Sequence, residues 1–245
     1  MESVKSKLKK MLCALLPNNF ISYIEQSYII NHPYYNLQNI SFSQEGEDLV
    51  LDRYLVGITD GFYIDVGAHH PIRFSNTYKF YMKGWKGINI DAMPGSMQLF
   101  NDVRPNDINI EVSISDKKQI IDYYIFEEPA YNTISKSQAE QIINKKFSIL
   151  VNKIQLESQR LEDVLKEHAS EFDKVTFMTI DVEGLDLAVL ESNNWDLFRP
   201  EYILIETLFT NFKNISENSV YNYLNALNYN LVAKTYNTLL FKSIV

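Results

Sequence analysis

Cysteine and histidine are scarce in this sequence. Its 245 residues include one cysteine, Cys13, and four histidines, of which only His69 and His70 are close together. A single cysteine excludes an intrachain disulfide framework and fits a reducing compartment, so we expect a cytoplasmic protein. So few cysteines and histidines also leave no spacing that is typical of a zinc site.

Positive charge is scarce as well. Lysine and arginine number 23 against 31 aspartates and glutamates, which gives a net charge of -8 and an isoelectric point of about 5.1. Broad binding to nucleic acid needs clustered lysine and arginine, so this balance argues against a nucleic-acid-binding function. The few glycines and prolines mark turns rather than linkers. The length and pattern predict one large α/β domain over residues 41–245.

The apolar run nearest the N-terminus is too short to span a bilayer. It follows four lysines in "VKSKLKKMLCALLPNNF", and Pro17 interrupts it. Two interpretations stay open for residues 1–17. They form either a basic amphipathic segment that touches anionic lipid or a peripheral helix that packs on the protein. Both interpretations fit a helical N-terminal extension over residues 1–40.

From residue 62 onward, predicted strands alternate with predicted helices. The strands are "FYIDV", "GINID", "INIEVSIS", "KVTFMTIDVEG" and "EYILIE". The helices between them are "SNTYKFYMKG", "PGSMQLFNDV", "RLEDVLKEHA" and "LDLAVLES". Ser75 or Asn76 is expected to cap the first of these helices, and Pro94 to open the second. This alternation predicts βαβ units around a parallel sheet.

Three further segments complete the predicted fold. "SFSQEGEDLVLDRYL" indicates a helix with Ser43 as its N-cap. Residues 118–160 interrupt the alternation with a strand, a helix and a strand, which indicates an insertion or lid that contacts substrate. "YNLVAKT" and "NTLLFKS" indicate an antiparallel hairpin at the edge of the sheet.

Polar residues gather where the predicted parallel strands end. Ligands of such sheets bind beyond the carboxyl ends of the strands, so these residues are candidates for a binding site. In strand order they are Asp65 with Gly67, Asp91, Ser115 with Asp116, Asp181 with Glu183, and Glu206.

The turn after the first strand argues for a nucleoside without a pyrophosphate. Its sequence "DVGAHHP" contains only Gly67, whereas a dinucleotide turn needs several glycines to admit the pyrophosphate. Asp91, at the end of the next strand, can accept hydrogen bonds from both hydroxyls of a ribose. The pattern therefore favours S-adenosylmethionine over a nicotinamide dinucleotide.

Four stretches resemble the FkbM-type family of S-adenosylmethionine-dependent methyltransferases. They are "SQEGEDLVL", "YIDVGAHHPIRFSNTYKFYMKGWKGINIDAMP", "VSISD" and "IDVEGLDLAVLES". The resemblance implies a class I methyltransferase fold, which is doubly wound and Rossmann-like, with a seven-stranded mixed sheet and helices on both faces. It also implies O-methylation of a sugar or another hydroxylated natural product. We expect a sugar, nucleotide-sugar or glycan acceptor in bacterial surface or capsular polysaccharide biosynthesis.

The resemblance also assigns cofactor contacts by position. Asp65, Gly67 and Ala68 match the motif that wraps the methionine part, and Asp91 matches the ribose-binding acid. The sequence departs from the family pattern at His69 and Pro71. The remaining expected contacts are Ala92, Met93, Ser115 and Asp116 near the adenine, with Gln44 and Glu45 closing over the cofactor.

Methyl transfer to a hydroxyl needs an aligned acceptor and a group that takes its proton. The candidate bases are His70, His69, Asp181 and Glu183. Two substrate contacts are also predicted, from Glu206 and from Arg73, which either binds an anionic acceptor or forms a surface salt bridge. Asp181, Glu183 and Glu206 together are an oxygen-rich set that suits Mg²⁺, an alternative to a metal-free site.

Three other functions remain as alternatives. A nicotinamide-dependent sugar-modifying oxidoreductase lacks the expected glycines. A metal nuclease shares the Asp181-x-Glu183 spacing, but Leu185 stands where a lysine is usual. A non-catalytic nucleoside-binding protein would keep cofactor binding without turnover.

Overall fold

The protein is described by a computed structural model that covers residues 39–169, 174–208 and 210–245. Ser41–Val245 forms one compact unit. The predicted basic segment over residues 1–17 and nearly all of the predicted extension lie outside the described residues. Within the described residues, every helix is too short or too polar to cross a membrane.

A seven-stranded mixed sheet forms the centre of this α/β domain. Its order is β3-β2-β1-β7-β8-β10-β9, and β10 runs antiparallel to both of its neighbours, whereas the other pairs are parallel. A second sheet has the order β4-β6-β5. The strands are β1 Phe62–Val66, β2 Lys86–Asp91, β3 Ile108–Glu111, β4 Ser113–Ile114, β5 Gln119–Phe126, β6 Leu150–Gln159, β7 Phe177–Ile180, β8 Tyr202–Glu206, β9 Tyr229–Lys234 and β10 Thr238–Ser243.

Helices cover the large sheet, whose central strands are buried on both faces. Along β1, Ile64 packs into one hydrophobic cluster and Tyr63 into another, since successive side chains point to opposite faces. Each fully buried large apolar side chain contributes about 1.5 to 3 kcal/mol to folding. The α-helices are α1 Glu47–Tyr54, α2 Tyr78–Tyr81, α3 Ser96–Val103, α4 Lys136–Lys145, α5 Leu161–His168, α6 Asp186–Glu191 and α7 Ser219–Ala226.

The predicted strand "INIEVSIS" is wrong as a single element. The chain leaves the large sheet after β3, which pairs with β2, and enters the small sheet as β4, which pairs with β6. Val112 lies between the two strands and its N–H still donates to the Asp91 carbonyl at 2.9 Å. Residues 118–160 then supply β5, α4 and β6. The small sheet therefore joins these residues to the carboxyl end of β3.

Three predicted helix starts are wrong. Helix α1 begins after Gly46, whose φ of 85° ends the preceding turn, and the Ser43 hydroxyl instead accepts from the Asp48 N–H at 3.2 Å. Helix α3 begins after Gly95, so Pro94 precedes the helix. Helix α2 is only four residues long and begins after Thr77, although the predicted cap Ser75 still accepts the Tyr78 N–H at 3.1 Å. Turns closed by left-handed glycines set the first two boundaries.

Candidate active site

A pocket at the carboxyl ends of β1, β2 and β7, which we call the inner pocket, is lined by five of the predicted strand-end residues, namely Asp65, Gly67, Asp91, Asp181 and Glu183. Its other side is lined by Pro129, Ala130, Asn132, Thr133 and Ile134. The residues that line the inner pocket include Asp65, Gly67, Ala68, His69, Asp91, Ala92, Ser113, Ile114, Tyr123, Asn132, Thr133, Asp181 and Glu183.

The turn after β1 requires glycine at residue 67. Gly67 has a φ of 83°, and a Cβ atom there would lie 1.8 Å from the carbonyl oxygen of Asp181. Its N–H and that of Ala68 both donate to the Ile90 carbonyl, at 2.9 and 3.0 Å. The turn is thus pressed between the ends of β2 and β7. This contact brings the first and fourth predicted strand ends together in the pocket.

Asp91 lines the inner pocket and fixes the backbone of the adjacent loops. One carboxylate oxygen accepts the His69 N–H at 2.9 Å and the other accepts the Met93 N–H at 2.8 Å. Burial raises the pKa of Asp91, and these two hydrogen bonds oppose the increase. Each oxygen keeps a second lone pair, so the carboxylate can still accept hydrogen bonds from a diol.

Asp65 is linked through Thr77 to a buried arginine, Arg104, and the sequence did not predict this link. The Thr77 hydroxyl donates to Asp65 at 2.7 Å, and Arg104 donates to the Thr77 oxygen at 2.8 Å. Arg104 is 0% exposed and also donates to the Pro71 carbonyl. Burial raises the pKa of Asp65 to about 6. A lone arginine before a proline gives no sequence signal of such a role.

Three carboxylates gather beside the inner pocket, and we call Asp181, Glu183 and Glu206 the acid cluster. One oxygen from each lies within 4.8 Å of the others. Burial raises the pKa of all three, and repulsion from Asp186 raises it further; Asp181 also repels Glu183 and Glu206. The Oδ1 atom of Asp181 is buried without a hydrogen-bond partner. Glu183 has a φ of 53°, a strained backbone conformation for a non-glycine residue.

A second, more open pocket lies next to the first, and we call it the outer pocket. Glu183 lines both pockets, Asp181 lines the inner one and Glu206 lines the outer one. The acid cluster therefore stands at the junction of the two. The outer pocket is also lined by Gln44, Arg73, Phe74, Tyr131, Gln138, Gln141, Ile142, Lys145, Phe147, Asn211, Tyr236 and Asn237.

Residues 118–160 contribute to both pockets. Tyr123, Asn132 and Thr133 line the inner pocket, whereas Gln138 and Gln141 line the outer one. The sequence predicted substrate contacts for this segment, and in the structure it also faces the pocket of the strand-end residues. Gln138 donates to the Glu183 carboxylate at 3.4 Å, and the Thr133 hydroxyl donates to the Glu183 carbonyl at 2.8 Å. The segment thereby supports the acid cluster.

The two histidines have different surroundings. The His69 side chain stacks on Phe74 with ring centroids 6.2 Å apart, and His69 lines the inner pocket. The His70 Nδ1 atom accepts the backbone N–H groups of Ile72 and Arg73, each at 3.0 Å. Burial lowers the pKa of both, so both are neutral at pH 7. His70 thus stabilises its own turn, which occupies the ring nitrogen that a base would use.

The other predicted contacts are spread around the two pockets. Gln44 and Ala92 line the inner pocket. Asp116 accepts a hydrogen bond from the Ser115 hydroxyl at 2.9 Å, while Ser113 and Ile114 take the pocket positions expected of this pair.

Two predicted contacts bind other parts of the chain. Glu45 accepts from the Thr235 hydroxyl and the Asn237 N–H of the β9–β10 turn, both at 2.8 Å. Arg73 forms a 2.9 Å salt bridge with Glu128 at the outer pocket. Of its two predicted roles, the structure thus shows the surface salt bridge.

Comparison with known proteins supports an enzymatic site. A search of curated proteins found no match. The family model described as "Methyltransferase FkbM domain" matches residues 65–231, which is more than half of the chain. The matched region begins at Asp65 in β1, contains the whole acid cluster and ends in β9. The chain belongs to the FkbM methyltransferase family.

Proposed function

We propose that the protein is an S-adenosylmethionine-dependent O-methyltransferase that acts on a hydroxyl of a sugar, nucleotide sugar or glycan precursor. The observation that carries this proposal is the acid cluster at the junction of the two pockets. A proton-accepting group is needed where a methyl donor and a hydroxyl meet. The expected setting is surface polysaccharide biosynthesis in the bacterial cytoplasm, which rests on the family resemblance and the single cysteine.

S-adenosylmethionine fits the residues of the inner pocket. The free lone pairs of Asp91 suit the ribose hydroxyls, and the turn at Gly67 and Ala68 suits the methionine part. Ala92, Ile114 and Tyr123 offer apolar surface for the adenine. When bound, the cofactor supplies an electrophilic methyl group. The strand order further supports a doubly wound, Rossmann-like class I fold, in which ligands bind at the carboxyl ends of the strands.

The acid cluster is proposed to take the proton of the acceptor hydroxyl. The hydroxyl oxygen forms the new bond to the methyl carbon, the carbon–sulfur bond breaks with its electron pair left on sulfur, and the proton goes to a carboxylate. Glu183 is the favoured proton acceptor because it lines both pockets. Its raised pKa makes the ionised carboxylate a stronger base. His69 is the remaining histidine candidate at the inner pocket.

The outer pocket is the proposed acceptor site. Gln138, Gln141 and Lys145 of α4 lie at helical spacing along one face of the helix and line this pocket. Tyr131 and Phe147 stack with ring centroids 6.3 Å apart, and Tyr236 is 84% exposed. Amides that bond hydroxyls, next to exposed aromatic rings, suit a saccharide.

The experiment that tests this function separates cofactor choice from acceptor choice. Thermal unfolding with S-adenosylmethionine and with NAD identifies the cofactor, and S-adenosylhomocysteine release over a panel of nucleotide sugars and glycans identifies the acceptor. We expect stabilisation by S-adenosylmethionine alone, with release from a hydroxylated saccharide. Stabilisation by NAD alone would favour the oxidoreductase. Cofactor binding without turnover on any acceptor would favour a nucleoside-binding protein.

A further inference from the structure

The acid cluster has the geometry of a cation site. Asp181 directly follows β7 and Glu206 ends β8, and these strands pair in parallel with Ile180 opposite Ile205. The register therefore places Asp181 beside Glu206, and the left-handed turn at Glu183 returns a third carboxylate to them. Their oxygens lie within 4.8 Å of one another. Oxygen ligands about 2.0 to 2.6 Å from one divalent cation are about 3 to 5 Å apart.

A buried oxygen in this cluster lacks a partner. Asp181 Oδ1 has no hydrogen-bond partner among the described residues, although it is shielded from solvent. A buried, unpartnered carboxylate oxygen is costly in the native state and needs an explanation. A bound cation supplies one, since it would take the place of the missing donor.

The surroundings of the cluster are negative. Asp186 lies close enough to raise the pKa of all three acids, and Glu47 raises that of Asp181. The salt bridges of Arg73, Arg104 and Arg160 are formed with other acids, Glu128, Asp107 and Glu162. The carboxylates of the acid cluster thus have further acids, Asp186 and Glu47, as neighbours.

We infer that Asp181, Glu183 and Glu206 bind one hard divalent cation, of the Mg²⁺ or Mn²⁺ class, between the inner and outer pockets. Carboxylate oxygens without sulfur or imidazole select such ions over zinc. Because Glu183 and Glu206 also line the outer pocket, the ion would lie beside the proposed acceptor site. The ion would bind and acidify the acceptor hydroxyl, while the second carboxylate oxygen of Glu183 takes the proton. This catalytic role rests on the proposed methyl transfer, whereas binding of the ion does not.

The test uses Mn²⁺ as the probe and the full chain freed of metal by chelator and dialysis. Electron paramagnetic resonance counts the bound Mn²⁺, and calorimetry measures its affinity and its displacement by Mg²⁺. We expect one Mn²⁺ per chain, displaced by Mg²⁺. Asp181→Asn and Glu206→Gln should each weaken binding at least about tenfold, whereas Asp163→Asn, an exposed acid on α5, should leave it unchanged.

The variants stay informative because they relieve repulsion. Removing one of several mutually repelling carboxylates should preserve folding, and circular dichroism checks this. Binding of no Mn²⁺ up to about 10 mM, far above the range of protein cation sites, would overturn the inference. Equal binding by wild type, Asp181→Asn and Glu206→Gln would overturn it too. Binding of S-adenosylhomocysteine in the same samples shows separately whether the proposed function stands.

Discussion

Two groups of carboxylates lie at the same edge of the sheet and differ in how many of their oxygens accept hydrogen bonds from the protein. Asp65 and Asp91 accept hydrogen bonds from a threonine hydroxyl and from backbone N–H groups of the neighbouring loops. Asp181 keeps a buried oxygen without a partner, and it repels the two glutamates beside it. The first group fixes the shape of the inner pocket. In the second group the Asp181 Oδ1 atom is unsatisfied, which suits a group that acts on a ligand.

Replacing Glu183 by glutamine should give the largest effect and should separate the two groups by function. The amide cannot accept the proton of a hydroxyl, so turnover should fall about 10²- to 10⁴-fold. Affinity for S-adenosylhomocysteine should change by less than about threefold, since the cofactor contacts proposed above come from the other group. Steady-state kinetics with an accepted saccharide and calorimetry measure the two quantities. Wild-type turnover in this variant would remove Glu183 from the mechanism.

Replacing Gly67 by alanine should disrupt the turn after β1, which packs against the ends of β2 and β7 beside both groups of carboxylates. The new methyl group would lie 1.8 Å from the Asp181 carbonyl oxygen, so the loops must separate. We expect a loss of about 3 to 4 kcal/mol in the free energy of unfolding, together with weaker cofactor binding. Urea unfolding measures the first effect.

Gly57 provides the matched control for this substitution. Its φ is 90°, but a Cβ atom there meets no other atom within 4 Å. Gly57→Ala should therefore cost only the backbone strain, about 1 kcal/mol, and should keep cofactor affinity. Equal losses in Gly57→Ala and Gly67→Ala would show that the close approach to Asp181 has no energetic importance.

The free energy of unfolding should depend on pH because Asp65 titrates differently in the folded and unfolded chain. Burial raises its pKa from 3.8 to about 6, so the folded protein binds this proton more tightly than the unfolded chain does. The stability due to this proton is present below the unfolded pKa and is lost as the pH rises through about 6. The loss is up to about 3 kcal/mol.

Asp65→Asn removes this titration, so the variant should gain stability relative to wild type between about pH 4.5 and about pH 7.5. Urea unfolding of both proteins at these pH values measures the gain. A stability difference that does not change with pH would contradict the raised pKa of Asp65. The ligand-free protein should be used, because a bound cofactor would change the surroundings of this acid.

The sequence predicted the parts of the fold that depend on regular patterns. Continuous apolar runs indicated β1, β2, β7 and β8, because strands buried on both faces need them. The polar residues after these strands indicated the site, because parallel strands bring their carboxyl ends to one edge. The acids that follow β7 and end β8, which the sequence grouped as an alternative oxygen-rich set, lie close together in the structure.

The sequence could not predict features that depend on distant contacts. Nothing near Arg104 indicates that it is fully buried and linked to Asp65 through Thr77. The break after β3 depends on pairing with β6, which lies about 45 residues further along the chain. The position of the His70 ring depends on the local turn, where backbone N–H groups take its nitrogen. Helix α7 was not predicted, since its sequence "SVYNYLNA" lacks strong helix-forming residues at several positions.

Asp91 is the proposed ribose contact of S-adenosylmethionine in the inner pocket. Calorimetric titration of the purified chain with S-adenosylhomocysteine, beside Asp91→Ala and the surface control Asp163→Asn, tests this contact. We expect one site per chain, an affinity at least about tenfold weaker in Asp91→Ala and no change in Asp163→Asn. No binding to the wild-type chain, or equal affinity in all three proteins, would contradict it.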